Sequence, residues 1–271
     1  MKNIQIDYPD YYAKLLLMSD LHWDNPKCQR DILKLHLDEA KETKSKILIN
    51  GDLFCLMQGR ADPRRSKDSI RPEHNTDKYI DAVIDTALDW FSPYAHNIAM
   101  IGYGNHENAI IKNAETDVLS RFVELMNLKN NSNIQIGGYG GIINITFGSG
   151  KKSYKMAYIH GYGGGGIVTK GLIQHQREET KIEGVDAIWS GHVHEDYEAT
   201  HMKLVVNGNN SHYKPKLWIR TSTYKDEYKE FAGWAYERGA PPKKIGGRWM
   251  EVQRIKRGSF DSMVGRTFAT W

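Results

Sequence analysis

The chain has 271 residues, 40% hydrophobic and 26% charged, with a formal net charge of +4. That length allows one large domain or two modest ones, and the balance of apolar and charged residues excludes a disordered chain. No stretch approaches the ~20 apolar residues of a membrane-spanning helix, and the mild positive charge permits an anionic partner without demanding one. Cys28 and Cys55 are the only cysteines. They form no close-spaced pair, which argues against a disulfide framework and suits a reducing cytoplasm. The opening stretch, MKNIQIDYPDYYAKLLLMSDLH, carries acidic residues early and no small-residue cleavage site, so it does not read as a secretory signal.

Continuous apolar runs at 14–20 (KLLLMSD), 46–52 (KILINGD) and 97–107 (NIAMIGYGNHE) predict strands buried on both faces. Helical spacing fills the gaps: Leu33, Leu37 and Ala40 first, then Ile80, Ile84 and Ala87 with Val83 and Phe91 beside them. Alternating strand and helix predicts βαβ units and a mainly parallel sheet. Residues 133–161 read as hairpin-like strands separated by glycine and polar turns. A helix is expected over 171–182 and a strand over 185–191. Two more strands follow, at KLVVNGN and KPKLWIRTSTY, then a turn at APPKKIGG and a last strand at 248–255. No repeat or linker interrupts this order, so the expectation is a single domain over 1–271. It would carry a basic insertion at about 56–75 and a C-terminal extension at about 225–271.

The ends of those strands hold the chemistry, since ligands of open α/β sheets gather outside the carboxyl ends of strands. Asp20 and His22 follow the first strand, Asp52 the second, Asn105 and His106 the third, His160 a later one, and His192 and His194 another. Each alone has a structural explanation, as a helix cap, a turn residue or a hydrogen-bonded core histidine. Together they do not, because caps do not require five strands to finish in metal-ligand types. Burying so many carboxylates and imidazoles without a cation would also be costly. Mixed imidazole, carboxylate and amide ligands suit two divalent transition metals, manganese first, with iron, zinc or nickel as alternatives. Metals roughly 3.5–4 Å apart need a bridging carboxylate, and Asp52 is the natural bridge.

The ordered set D-L-H (20–22), G-D (51–52), G-N-H-E (104–107), H-G (160–161) and G-H-V-H (191–194) resembles the calcineurin-like metallophosphoesterase superfamily. The tail from RTSTYKDEY onward is similar to phage-encoded members. The resemblance implies an α/β fold, a four-layer α/β/β/α sandwich with two central mixed β-sheets. It implies one metal held by Asp20, His22, Asp52 and His194, and another held by Asp52, Asn105, His160 and His192. His106 would be the general acid beside the leaving oxygen. A hydroxide bridging the metals would attack phosphorus in line, with neither cysteine acting as nucleophile.

Where many members have an acidic residue or Asn, three positions after the bridging Asp, this chain has Cys55; Glu107 is expected to share in orienting His106. Arg60, Arg64 and Arg65, in the basic segment after the bridging Asp, are candidates for gripping substrate phosphate. The glycine run at 163–166 could bring backbone N–H groups near the site, and Thr169 and Lys170 are weaker candidates for contact. The remaining histidines (36, 74, 96, 175, 201 and 212) read as surface or core residues. The expected reaction is hydrolysis of a phosphodiester, nucleic acid or a small or cyclic nucleotide, with a nuclease included. A phosphomonoesterase acting on a small molecule or phosphoprotein is the alternative, and a non-catalytic metal-binding scaffold the weaker rival.

Overall fold

The computed structural model describes residues 2–57, 70–164, 169, 171–228, 234–237, 239–258 and 260–270. In chain order the strands are β1 (Lys2–Tyr8), β2 (Tyr12–Met18), β3 (Lys46–Ile49), β4 (Ile98–Ile101), β5 (Gln135–Ile136), β6 (Gly140–Phe147) and β7 (Lys152–Ile159). They continue with β8 (Ala187–Ser190), β9 (Tyr197–Asn207), β10 (Asn210–Arg220), β11 (Arg248–Arg257) and β12 (Phe260–Ala269). The main helices are α1 (Arg30–Glu42), α2 (Tyr79–Phe91), α3 (Asn105–Ala114), α4 (Val118–Asn130) and α5 (Leu172–Glu179).

Two six-stranded sheets result. One has the order β12-β11-β2-β3-β4-β5, the other β1-β6-β7-β8-β10-β9. β2 to β5 run parallel, as the alternation of strand and helix predicts, but β11 and β12 extend that sheet antiparallel. The second sheet mixes both senses. The architecture is therefore α/β with two mixed sheets face to face and helices outside.

Strand β2 shows why. Its apolar run has no polar face, so alternate side chains must be buried on opposite sides. Leu15 and Leu17 join Leu48, Met100, Ile143, Met156, Trp189 and Ile219 between the sheets. Leu16 and Met18 face outward to Leu33 and Leu37 of α1, Val83 and Phe91 of α2 and Phe122 of α4. On the far side of the second sheet, His175 of α5 stacks on Trp218 at 5.6 Å between ring centroids. No helix among the described residues is long and apolar enough to cross a membrane.

Four elements depart from the sequence reading. Strand β1 pairs in parallel with β6 at a sheet edge, burying only Ile4 and Ile6. The expected last strand at 248–255 is followed by β12, which closes the tail back onto β11. Helix α4 buries Leu119, Phe122, Val123 and Met126 beside α2, where no helix was expected. Asn105 and His106 begin α3 rather than ending a strand, since β4 stops at Ile101.

Leu17 is fully buried between the sheets. Leu17→Ala should lower unfolding stability by about 2–5 kcal/mol, read from the shift in the urea midpoint. A loss below about 1 kcal/mol would mean that the two sheets are not packed through this residue.

Candidate metal centre

Each expected ligand sits just past a strand end, and the turns that hold them are tied to one another. The backbone N–H of Asp20 donates to Gly51 O (3.1 Å), and that of His22 to Asp52 O (3.0 Å), so the loops after β2 and β3 advance together. The His192 N–H donates to Asp20 Oδ2 at 2.9 Å, joining the second sheet to the first. Glycine is required where these loops touch: a Cβ on Gly104 would strike Asp52 Oδ1, and one on Gly51 would lie 2.5 Å from His160 Nδ1.

Asp20, His22, Asp52, His192 and His194 all adopt left-handed backbone, with φ of 55°, 47°, 50°, 71° and 55°. Non-glycine residues rarely take this conformation, and it persists only where the surroundings impose it. Here it turns five polar side chains back over the strand ends.

The structure brings Asp20, His22 and His194 together, and likewise Asp52, His160 and His192; within each group the ligand atoms lie within 4.8 Å of one another. Asp20 Oδ1 is 3.3 Å from His194 Nε2 and 3.9 Å from His160 Nε2. Asp52 Oδ2 is 3.3 Å from His160 Nε2, and the ring centroids of His22 and His194 are 5.6 Å apart. Asn105 Oδ1 lies 3.2 Å from His160 Nε2 and 2.8 Å from His192 Nδ1. Arg60, Arg64 and Arg65 lie outside the described residues, as does Lys170.

A carbonyl can only accept a hydrogen bond, and this fixes the ring tautomers. His160 donates from Nδ1 to Asn50 O (2.7 Å), and His192 donates from Nε2 to Gly163 O (3.1 Å). Their other nitrogens therefore direct lone pairs at Asn105 Oδ1, and His160 Nε2 directs its own at Asp52 Oδ2 as well. Turning the Asn105 amide would relieve its own contacts but leave the Asp52 contact repulsive. The arrangement needs either a second proton on His160 or a cation. Asp20 Oδ1 and both ring nitrogens of His22 are likewise buried without a hydrogen-bond partner. Imidazole, carboxylate and amide donors with a fixed second shell fit divalent transition metals.

The electrostatics agree with that reading. Burial pushes the Asp52 carboxyl up, but His160 and His106 outweigh it and hold it well below the ordinary carboxylate range. Burial opposes charge on His160, yet Asp52 and Asp20 raise it to about 10. Burial and the neighbouring His106 hold His22 well below its usual value, which keeps a lone pair available. Burial pushes the Cys55 thiol up to about 12, so it is no nucleophile at neutral pH.

His106 is oriented by backbone, not by Glu107 as the sequence suggested. Its Nδ1 donates to Cys55 O at 2.6 Å, and its Nε2 lies 3.9 Å from Asp52 Oδ2. Glu107 is committed elsewhere. Its carboxylate accepts from the N–H groups of Gly104 (2.8 Å), Phe54 (3.0 Å) and Asp52 (3.1 Å), clamping the start of α3 to the loop after β3.

Several supporting residues escaped the sequence reading. Asp24 accepts from the backbone N–H groups of Cys55 and Leu56 and from the Tyr79 hydroxyl, which sets the loop that holds His106. Ser222 Oγ donates to His194 O, while Thr223 Oγ1 and the Tyr224 N–H both donate to Asp20 O. Arg71, within the basic segment, spends its guanidinium on Asn25 O and Cys28 O. A separate cleft between β10 and β12, lined in part by Tyr154, Asp186, Tyr213 and Met263, holds none of the expected ligands.

Because His160 is raised to about 10, it carries two protons at pH 8 when no cation is present. Metal binding should then expel about one proton from this ring, detected by calorimetry as a heat that varies with buffer ionisation enthalpy. His160→Ala should lose that proton; a wild-type heat independent of the buffer would contradict the arrangement.

No curated protein matches the chain. Among solved structures, vacuolar protein sorting 29 of Cryptosporidium parvum is 15% identical, with 96% of this chain and 100% of that one covered at a TM-score of 0.38. An uncharacterised predicted phosphoesterase of Streptococcus pneumoniae is 12% identical, covering 96% and 98% at 0.34. GAP50 of Plasmodium is 11% identical, covering 95% and 84% at 0.41. Scores at this level transfer no function. The family model of the calcineurin-like phosphoesterases, by contrast, matches residues 13–196, which include every residue of the centre. That is well over half of the chain, and the protein belongs to this family of metal-dependent phosphoester hydrolases.

Proposed function

We propose that the whole chain acts as one catalytic unit that hydrolyses a phosphodiester, in nucleic acid or a small nucleotide. In this reading one cation is held by Asp20, His22, Asp52 and His194, the other by Asp52, Asn105, His160 and His192, and manganese is the metal first favoured. When bound, such a pair supplies charge neutralisation for the phosphoryl oxygens and a lowered pKa for the attacking water.

The protein's own groups do the rest. Asp52 serves both metal positions and is kept anionic by the imidazoles around it. His106 has one nitrogen committed to Cys55 O, so its Nε2 is the atom free to meet substrate beside Asp52. Protonated there, it donates to the departing oxygen, which is a poor leaving group as a bare alkoxide. The observation that carries this reading is the gathering of His160 and the buried, unpartnered ligand atoms of Asp20 and His22 around Asp52, with His106 at their edge.

The diester is favoured because Arg60, Arg64, Arg65 and Lys67 cluster in the basic segment that follows the bridging carboxylate. Such a run suits a polyanion, in which one phosphate reacts while its neighbours need a counter-charge.

With manganese present, bis-p-nitrophenyl phosphate should be turned over faster than p-nitrophenyl phosphate. Turnover of the monoester alone would eliminate the diester preference. His106→Ala should keep its bound metal but lose roughly 10²–10⁴-fold in kcat, as expected for removal of a general acid. Parallel loss of metal and activity in that variant would place His106 among the ligands instead.

A further inference from the structure

Beside the two groups already described lies a third, in which His22, Cys55 and His106 offer ligand atoms within 4.8 Å of one another, all three residues being buried. The reaction proposed above makes no use of the Cys55 thiol. Its one described hydrogen bond comes from Asn25 Nδ2 at 3.4 Å, a weak contact that leaves the sulfur lone pairs available. His22 brings one of its buried ring nitrogens, neither of which has a hydrogen-bond partner, to the same place. His106 has given Nδ1 to the Cys55 carbonyl, so only its Nε2 remains for a ligand.

We propose that His22, Cys55 and His106 form a zinc-selective inhibitory site, which when filled withdraws His106 from the leaving group. The proposal rests on the role assigned to His106 above. Sulfur and imidazole are the ligand types of tetrahedral zinc, and three such ligands keep a fourth position for water. Sulfur favours zinc strongly, whereas manganese prefers oxygen ligands, so the same cleft discriminates between an activating and an inhibiting cation. On binding, zinc accepts the sulfur lone pair, the thiol proton passes to solvent, and no group changes oxidation state. The zinc also occupies His106 Nε2, the one atom that could deliver a proton to the departing oxygen. Inhibition follows whichever nitrogen His22 contributes.

Cobalt provides a direct reading, because a thiolate–cobalt bond gives a near-ultraviolet charge-transfer band and needs no substrate. Titrating cobalt into the full chain should produce that band in the wild type and in Cys28→Ser, and not in Cys55→Ser. In manganese-supported assays, the zinc response of each variant is read against its own zinc-free turnover. For Cys55→Ser the zinc concentration for half-inhibition should rise by at least the roughly 10–100-fold that losing even an outer-shell partner costs a metal site. Bound cobalt without the band in the wild type, or equal zinc sensitivity in the wild type and Cys55→Ser, would overturn the proposal. If Cys55→Ser does not fold, the spectra of the wild type and Cys28→Ser decide alone. A wild type that cleaves no diester would sink the functional reading while leaving the cobalt band to report on Cys55.

Discussion

The whole centre depends on a repulsion that a second proton on His160 or a cation must remove. Asp52 Oδ2 and Asn105 Oδ1 both face His160 Nε2, whose proton is on the far side of the ring, in a place from which water is largely excluded. Each of these groups is held there by the backbone. Asp52 and Asp20 stand in left-handed conformations, and the loops that carry them are cross-linked by main-chain hydrogen bonds. Such strain survives because the surrounding sheets over-determine it. In the metal-free state a second proton on His160 bears that electrostatic cost, and ion binding takes the proton's place.

That cost explains the division of labour between the sheets. The first sheet supplies Asp20 and His22 from the loop after β2, Asp52 from the loop after β3, and Asn105 from the start of α3 beyond β4, a crevice that any open α/β sheet offers. The second supplies His160, His192 and His194, from the ends of β7 and β8, which are also parallel neighbours. Packing through Leu17, Leu48, Met156 and Trp189 is what brings the two sets of ends level. The hydrophobic core between the sheets therefore fixes the distances on which the chemistry depends.

Much of this was legible in the sequence, and the reasons differ by residue. The five motifs were readable because buried parallel strands announce themselves as unbroken apolar runs, and polar residues that interrupt them must have a purpose. Strand β1 was harder, since at a sheet edge it fully buries only Ile4 and Ile6, with Tyr8 half-buried and the rest facing solvent. Strand β12 alternates weakly, and α4 has little contrast between its faces. The supports were the least readable. Asp20 O is held by Thr223 and Tyr224, about two hundred positions away, and no local pattern encodes such a bond. Glu107 was noticed, but its three backbone partners could be seen only once the loops had been placed.

The most direct test is the anomalous signal from a crystal of the protein soaked in manganese. Two peaks on either side of the Asp52 carboxylate, roughly 3.5–4 Å apart, are the predicted result. A single peak remote from Asp52, or none with His160 and His192 turned away from it, would contradict the account.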